Sequence, residues 1–90
     1  MRVRKSKRVE TFFEHAHDEA LRAMKKFPYP NPSLAALMEE VGELAQALLE
    51  KQEPYLIYAE AKQVAAVACR IAIEGDPQFT KQVAGRMVVL

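Results

Sequence analysis

Leu37-Met38-Glu39-Glu40-Val41-Gly42-Glu43-Leu44, answered after fifteen intervening residues by Glu60-Ala61-Lys62-Gln63, decides how this chain folds. Stepped at about 100° per residue, Leu34, Leu37, Val41, Leu44, Ala45 and Leu48 fall on one apolar stripe, the mark of a helix laid against a core. Glu40 and Glu43 lie beside that stripe, one turn apart, with Ala36 and Ala47 at the same angle. Those small neighbours leave room for something to approach. On the second helix Ile57, Val64, Val67 and Ile71 make the stripe, with Glu60 in its middle and Gln63 at its edge. A carboxylate on a buried face is costly unless it is paired, hydrogen-bonded or bound to metal. For Glu60 taken alone, a core ion pair with Lys or Arg, or a carboxylate that reaches solvent, is the simpler reading. The acids of the facing helix change that balance, because they would repel Glu60 unless a cation lay between them. Carboxylate oxygens from two adjoining helices suit a hard divalent ion.

The pattern Glu39-Glu40-x-x-Glu43, then Glu60-x-x-Gln63, resembles the signature of the MazG-like all-α nucleoside triphosphate pyrophosphatases, in which EExxE is followed, after a variable spacer, by ExxD. The likeness takes in Leu37, Gly42 and Leu44 and, in looser form, covers about residues 10 to 75. It implies a Mg²⁺-dependent hydrolase that converts a (d)NTP and water to (d)NMP and pyrophosphate, working as a homodimer, with a tetramer as the alternative. Carried over residue by residue, it makes Glu40, Glu43, Glu60 and Gln63 the metal ligands, for Mg²⁺ or Mn²⁺. Glu39 and Glu43 become the catalytic carboxylates, with Glu39 as orienting group, ligand or base. Where the family has Asp, this chain has Gln63, whose carbonyl oxygen can ligate Mg²⁺ but brings no negative charge. That leaves open weaker metal binding, one ion in place of two, or a non-catalytic helical dimer that binds nucleotide or a protein partner. Lys62, Arg70 and Lys51 are candidates to meet phosphate charge, and Arg70 shares a side of its helix with Gln63. Tyr29 and Phe27 are candidates to stack on a base, against the alternative that both rings cover the end of the core.

Ninety residues make one small domain, near the size at which a helical chain leans on a partner. Half the residues are apolar, only three are Gly, and no period-two alternation is bounded by turn dipeptides, which favours an all-α fold. The single cysteine, Cys69, cannot form an internal disulfide, so a reducing cytoplasm is expected; among Ala and Val in mid-helix it reads as a core residue rather than a nucleophile. No apolar run approaches the roughly twenty residues of a membrane span. The basic start lacks the apolar segment of a signal peptide. Arg2, Arg4, Lys5, Lys7 and Arg8 make residues 1–8 a basic arm, and the rest is net acidic, with eight Lys and Arg against twelve Asp and Glu. Such an arm can steer an anionic substrate; without interleaved aromatics, a nucleic-acid contact is not expected.

Residues 9–90 then read as one helical domain. Val9, Phe12, Phe13, Ala16, Ala20, Ala23, Met24 and Phe27 share a face of a first helix over 9–27, with His15 and His17 pointing elsewhere. Alternating prolines in Phe27-Pro28-Tyr29-Pro30-Asn31-Pro32 end that helix. Asn31-Pro32 predicts an N-cap and first position for the acidic helix over 32–51. A short break at Gln52-Glu53-Pro54 makes the next helix, 54–74, its antiparallel neighbour, with Gly75 as the stop. Asp76-Pro77 repeats the cap device and predicts a short fourth helix over 77–87. The third helix is apolar almost all round, so it is central or lies at a subunit contact. The expected architecture is an antiparallel bundle of three long helices and a short one, completed as a four-helix bundle by dimerisation.

Overall fold

The computed structural model describes residues 6–81, and every structural statement below refers to them. They form three helices and no strand: α1, Lys7–Lys26; α2, Ser33–Leu49; and α3, Pro54–Glu74. Ser6 starts α1, its hydroxyl accepting the Val9 N–H at 3.3 Å. The helix therefore takes the last two residues of the basic stretch into its first turn. It stops at Phe27, whose N–H bonds the Ala23 carbonyl at 2.8 Å before the prolines take over. The Tyr29–Pro30 peptide in this connector is cis.

α2 departs from the sequence expectation at its start. Asn31 is not its cap; Pro32 holds that place and offers no side-chain acceptor. The acceptor comes instead from beyond α3: Asp76 Oδ2 takes the Leu34 N–H at 2.7 Å, and the same carboxylate receives the Ser33 N–H. At the other end, Gln52 N–H reaches the Ala47 carbonyl (3.0 Å) and Lys51 N–H that of Leu48 (3.1 Å). These are the paired bonds of a Schellman cap, with Lys51 at φ 54 in the left-handed position that usually holds Gly. Pro54 opens α3, where its missing N–H costs nothing. Gly75 closes it at φ 68, as the sequence suggests.

The expected fourth helix does not begin at Pro77. Residues 77–79 form a turn in which the Asp76 carbonyl accepts from Phe79 and Thr80 N–H (3.0 and 2.8 Å). Asp76 does cap this turn through Gln78 N–H, but its second carboxylate oxygen is committed to α2. Residues 82–90, with the apolar Val88-Val89-Leu90, lie outside the described residues.

The third helix is central, as its all-round apolar character predicts: α3 packs against both α1 and α2, while no Cα pair between α1 and α2 comes within 8 Å. What lies between the helices is small. The fully buried apolar residues are Ala16, Ala20, Ala47 and Ala66. Here the structure again departs from the sequence expectation. Only part of the apolar stripe of α2 faces α3: Leu34, Val41, Ala45 and Leu48 are exposed, while Leu37 and Leu44 share the buried side with Ala36, Glu40 and Ala47. On α1, Val9, Phe13 and Phe27 are likewise exposed while Ala16 and Ala20 are covered. Alanine faces let two backbones come close, and that leaves the larger apolar side chains outside the contact. Cys69 is exposed too, not a core residue. No described helix is long and apolar enough to cross a membrane.

Candidate metal centre

The rotation of α2 that hides Ala36 and Ala47 also turns Glu40 inward. α3 presents Glu60 to it across the antiparallel contact. Glu40 and Glu60 are half-buried and Glu43 is exposed; one oxygen from each of the three lies within 4.8 Å of the others. Oε2 of Glu40 and Oε2 of Glu60 are buried and have no hydrogen-bond partner.

The electrostatics follow from that crowding. Burial pushes the Glu40 carboxyl above its usual range, and the negative charges of Glu43, Glu60 and Glu39 push it further. Glu60 is raised by burial first, then by hydrogen bonding with Glu43 and by that residue's charge. Without a cation, the raised Glu40 and Glu60 carboxyls take up a proton more readily than free ones. With one, the same oxygens form a hard, anionic ligand set of the kind that Mg²⁺ or Mn²⁺ takes. The orphaned oxygens and the carboxylate chemistry both fit such an ion.

The remaining candidate residues are distributed unevenly. Glu39 stays on the exposed side of α2, outside the cluster but near enough to raise Glu40. Gln63 is half-buried and shares with Glu40 a recess of about 160 Å³, which Asn31, Ser33, Phe27 and Arg70 also line. Lys62 is turned towards α1, where its Nζ pairs with Glu19 at 3.4 Å. Glu19 also receives Arg22 at 2.9 Å, and the Arg22 hydrogen bond is the main cause that lowers its carboxyl below the usual range. Tyr29 sits half-buried in the connector.

Arg70 is 4% exposed and its guanidinium is engaged inside the fold. Nε bonds Glu74, one terminal nitrogen donates to the Ala23 carbonyl at 3.1 Å, and the other donates to the Phe27 carbonyl. The Phe27 carbonyl lies just past the end of α1, and the Ala23 carbonyl already takes the Phe27 N–H, so Arg70 adds a second donor there. Its shared side with Gln63 puts it in the recess wall, as the sequence suggests, yet its donors close the end of α1.

Sequence reasoning missed two polar contacts altogether. His15 Nδ1 and the Tyr58 hydroxyl lie 2.7 Å apart, joining α1 to α3, while His17 pairs on the surface with Asp18 at 3.1 Å. No periodicity argument pairs residues 43 apart. Asp76 was legible only as a cap for its own helix. Comparison of the chain with protein-family models, with curated proteins and with solved structures finds no match.

Proposed function

We propose that this protein is a Mg²⁺-dependent nucleoside triphosphate pyrophosphohydrolase of the MazG-like type. The observation that carries the reading is the gathering of Glu40, Glu43 and Glu60 within 4.8 Å, with two buried oxygens lacking partners. Glu40, Glu43 and Glu60 would hold the ion, with the Gln63 carbonyl oxygen as the neutral fourth ligand. A bound Mg²⁺ supplies charge stabilisation to the phosphates and lowers the pKa of attacking water. Glu39, exposed beside the cluster, is placed in this reading to take the proton of that water. The water oxygen bonds the α-phosphorus, the bridge to the β-phosphate breaks, and the products are a nucleoside monophosphate and pyrophosphate.

A panel of NTPs and dNTPs with Mg²⁺, scored for released pyrophosphate, tests this. Turnover by the wild type and its loss in Glu43→Ala are expected; no turnover in the wild type would overturn the enzymatic reading.

The second reading, a non-catalytic helical dimer of the same type, is favoured by a different observation. Gln63 brings no charge, and Lys62 and Arg70 are spent on Glu19, Glu74 and α1 carbonyls rather than on an open anion site. It predicts little wild-type activity and tighter metal binding in Gln63→Asp.

Both readings share a homodimer, with two chains completing a four-helix bundle. The support is the thin interior of four alanines set against exposed Phe13, Met38, Leu48 and Leu49, and a mostly apolar groove of about 800 Å³ between α1 and α3, lined among others by Phe13, Leu21, Met24 and Ile73. So small a chain buries too little apolar surface to hold three helices comfortably alone. A stable folded monomer in sedimentation at micromolar concentration would remove the dimer. The lone Cys69 is consistent with a reducing, cytoplasmic setting.

A further inference from the structure

α2 is joined to the rest of the fold by hydrogen bonds at its first turn. There Asp76, itself 4% exposed, accepts the Leu34 N–H at 2.7 Å and the Ser33 N–H, while its other oxygen takes the Gln78 N–H at 2.8 Å. The turn holding Asp76 is itself braced: Thr80 Oγ1 accepts the Asp76 N–H at 2.9 Å, and Gly75 adopts φ 68 directly beneath it. Past that first turn α2 meets α3 through alanines, leucines and the carboxylates. Alanine surfaces offer shallow ridges and little resistance to sliding. The acids repel across the same contact, and no Cα of α1 comes within 8 Å of one in α2. A slide by one residue is about 1.5 Å along the axis with a rotation of about 100°, whereas metal–ligand distances tolerate roughly 0.2 Å.

We infer that Asp76 is a positioning residue: by fixing the first turn of α2 to the end of α3, it sets the register that brings Glu40 and Glu43 opposite Glu60. This rests on the metal-site reading only for what the cluster binds. Asp76 touches neither ion nor substrate, and it acts through the placement of α2. Its chemistry differs from that of an ordinary cap, because a cap carried by α2 itself would stabilise the helix without saying where along α3 it sits.

The test separates those two roles. Asp76→Ala and Asp76→Asn are compared with the wild type by titration with Mn²⁺ alone and, in metal-free protein, by the distance between spin labels at Leu49→Cys and Ala72→Cys in a Cys69→Ser background. Both label positions are exposed and lie far apart along the α2–α3 axis. Mn²⁺ affinity is expected to fall about tenfold or more, and the label distance to shift or broaden by an ångström or more. Adding Pro32→Ser gives α2 a cap of its own. It should recover thermal stability in Asp76→Ala but neither Mn²⁺ affinity nor label distance. Where Asp76→Ala does not fold, Asp76→Asn decides, since it keeps the side chain's size and one acceptor oxygen. An unchanged label distance, or full recovery of both readouts by Pro32→Ser, overturns the inference. If the wild type takes up no Mn²⁺, the metal reading fails separately, and the label distances alone judge Asp76.

Discussion

Asp76 and Glu60 are two acids on or just past one helix, both turned towards α2, and their surroundings drive them in opposite directions. Asp76 meets the Leu34, Gln78 and Ser33 N–H groups, and its carboxyl is held below the usual range chiefly by the Leu34 bond. Glu60 meets other carboxylates, leaves an oxygen without a partner, and is pushed up. A covered acid that finds donors completes the fold. A covered acid that finds only acids stores repulsion, and a cation can release it. The end of α3 is thus a finished polar joint, strengthened by Arg70 on its other side, while the middle of the α2–α3 contact is an unfinished one.

The sharpest way to break that contrast is to spoil the finished end. Arg70→Ala leaves Glu74 without its buried cation, the Phe27 carbonyl without this donor and the Ala23 carbonyl with the Phe27 N–H alone. Removing one partner of such a buried network costs about 3–5 kcal/mol, read as a lower midpoint in urea or heat. Arg70→Lys should also lower the midpoint, since a single ammonium cannot fork to three acceptors. Were Arg70 free to meet phosphate instead, Arg70→Lys would raise KM and leave the midpoint alone. Gly75→Ala comes next. At φ 68 and ψ −161 the backbone is in a region nearly reserved for Gly, and a Cβ there would come within 2.6 Å of Thr80 Cγ2. A loss of about 3 kcal/mol is expected from strain and crowding together.

The unfinished joint should answer with the opposite sign. Glu60→Gln keeps the side chain's shape and removes the repelled charge, so the metal-free protein should melt at a higher temperature while Mg²⁺ affinity falls by about a hundredfold or more. The pH dependence follows from the same shifts. Raised carboxyls bind more protons folded than unfolded between their usual and their raised values, so metal-free stability is fully present below the usual glutamate range and declines as pH rises through the raised values of Glu40 and Glu60. Saturating Mg²⁺ should flatten that decline, because it favours the ionised cluster. Asp76 and Glu19 work the other way, losing their contribution only as pH falls through their lowered values, so the two windows do not overlap. Melting curves from about pH 2.5 to 8, with and without Mg²⁺, check both signs.

The contrast also explains what could be read from the residues alone. Helix type and number of long helices followed from periodicity and proline placement, and α3 runs over 54–74 as its Pro and Gly predict. Glu40, Glu43 and Glu60 were legible because short-range spacing puts acids beside or within an apolar stripe, and one tight link makes two helices neighbours. The face that α2 turns inward was not. Leucine content points to one stripe, but alanines permit closer approach, and the closer contact is the one the chain adopts. Arg70, Asp76 and the His15–Tyr58 pair were illegible for a different reason. Each serves a partner 42 to 47 residues away, and nothing local to Arg70 or Asp76 tells a surface cation or a local cap from a tertiary clamp.

The smallest effect lies at the far end of α2, where the Schellman turn puts Lys51 at φ 54. A side chain in that left-handed region costs about 1 kcal/mol that Gly would not incur. Gly also gives the unfolded chain more freedom, so Lys51→Gly should gain less than the full amount, about 0.5 kcal/mol. Its value is as a control on the two ends of one helix. Tightening this turn strengthens α2 without tying it to α3, so Mn²⁺ affinity should stay at the wild-type value although the melting point rises. An affinity change of several-fold in Lys51→Gly would mean that the stiffness of α2, and not its attachment at Asp76, governs how closely Glu40 and Glu43 meet Glu60.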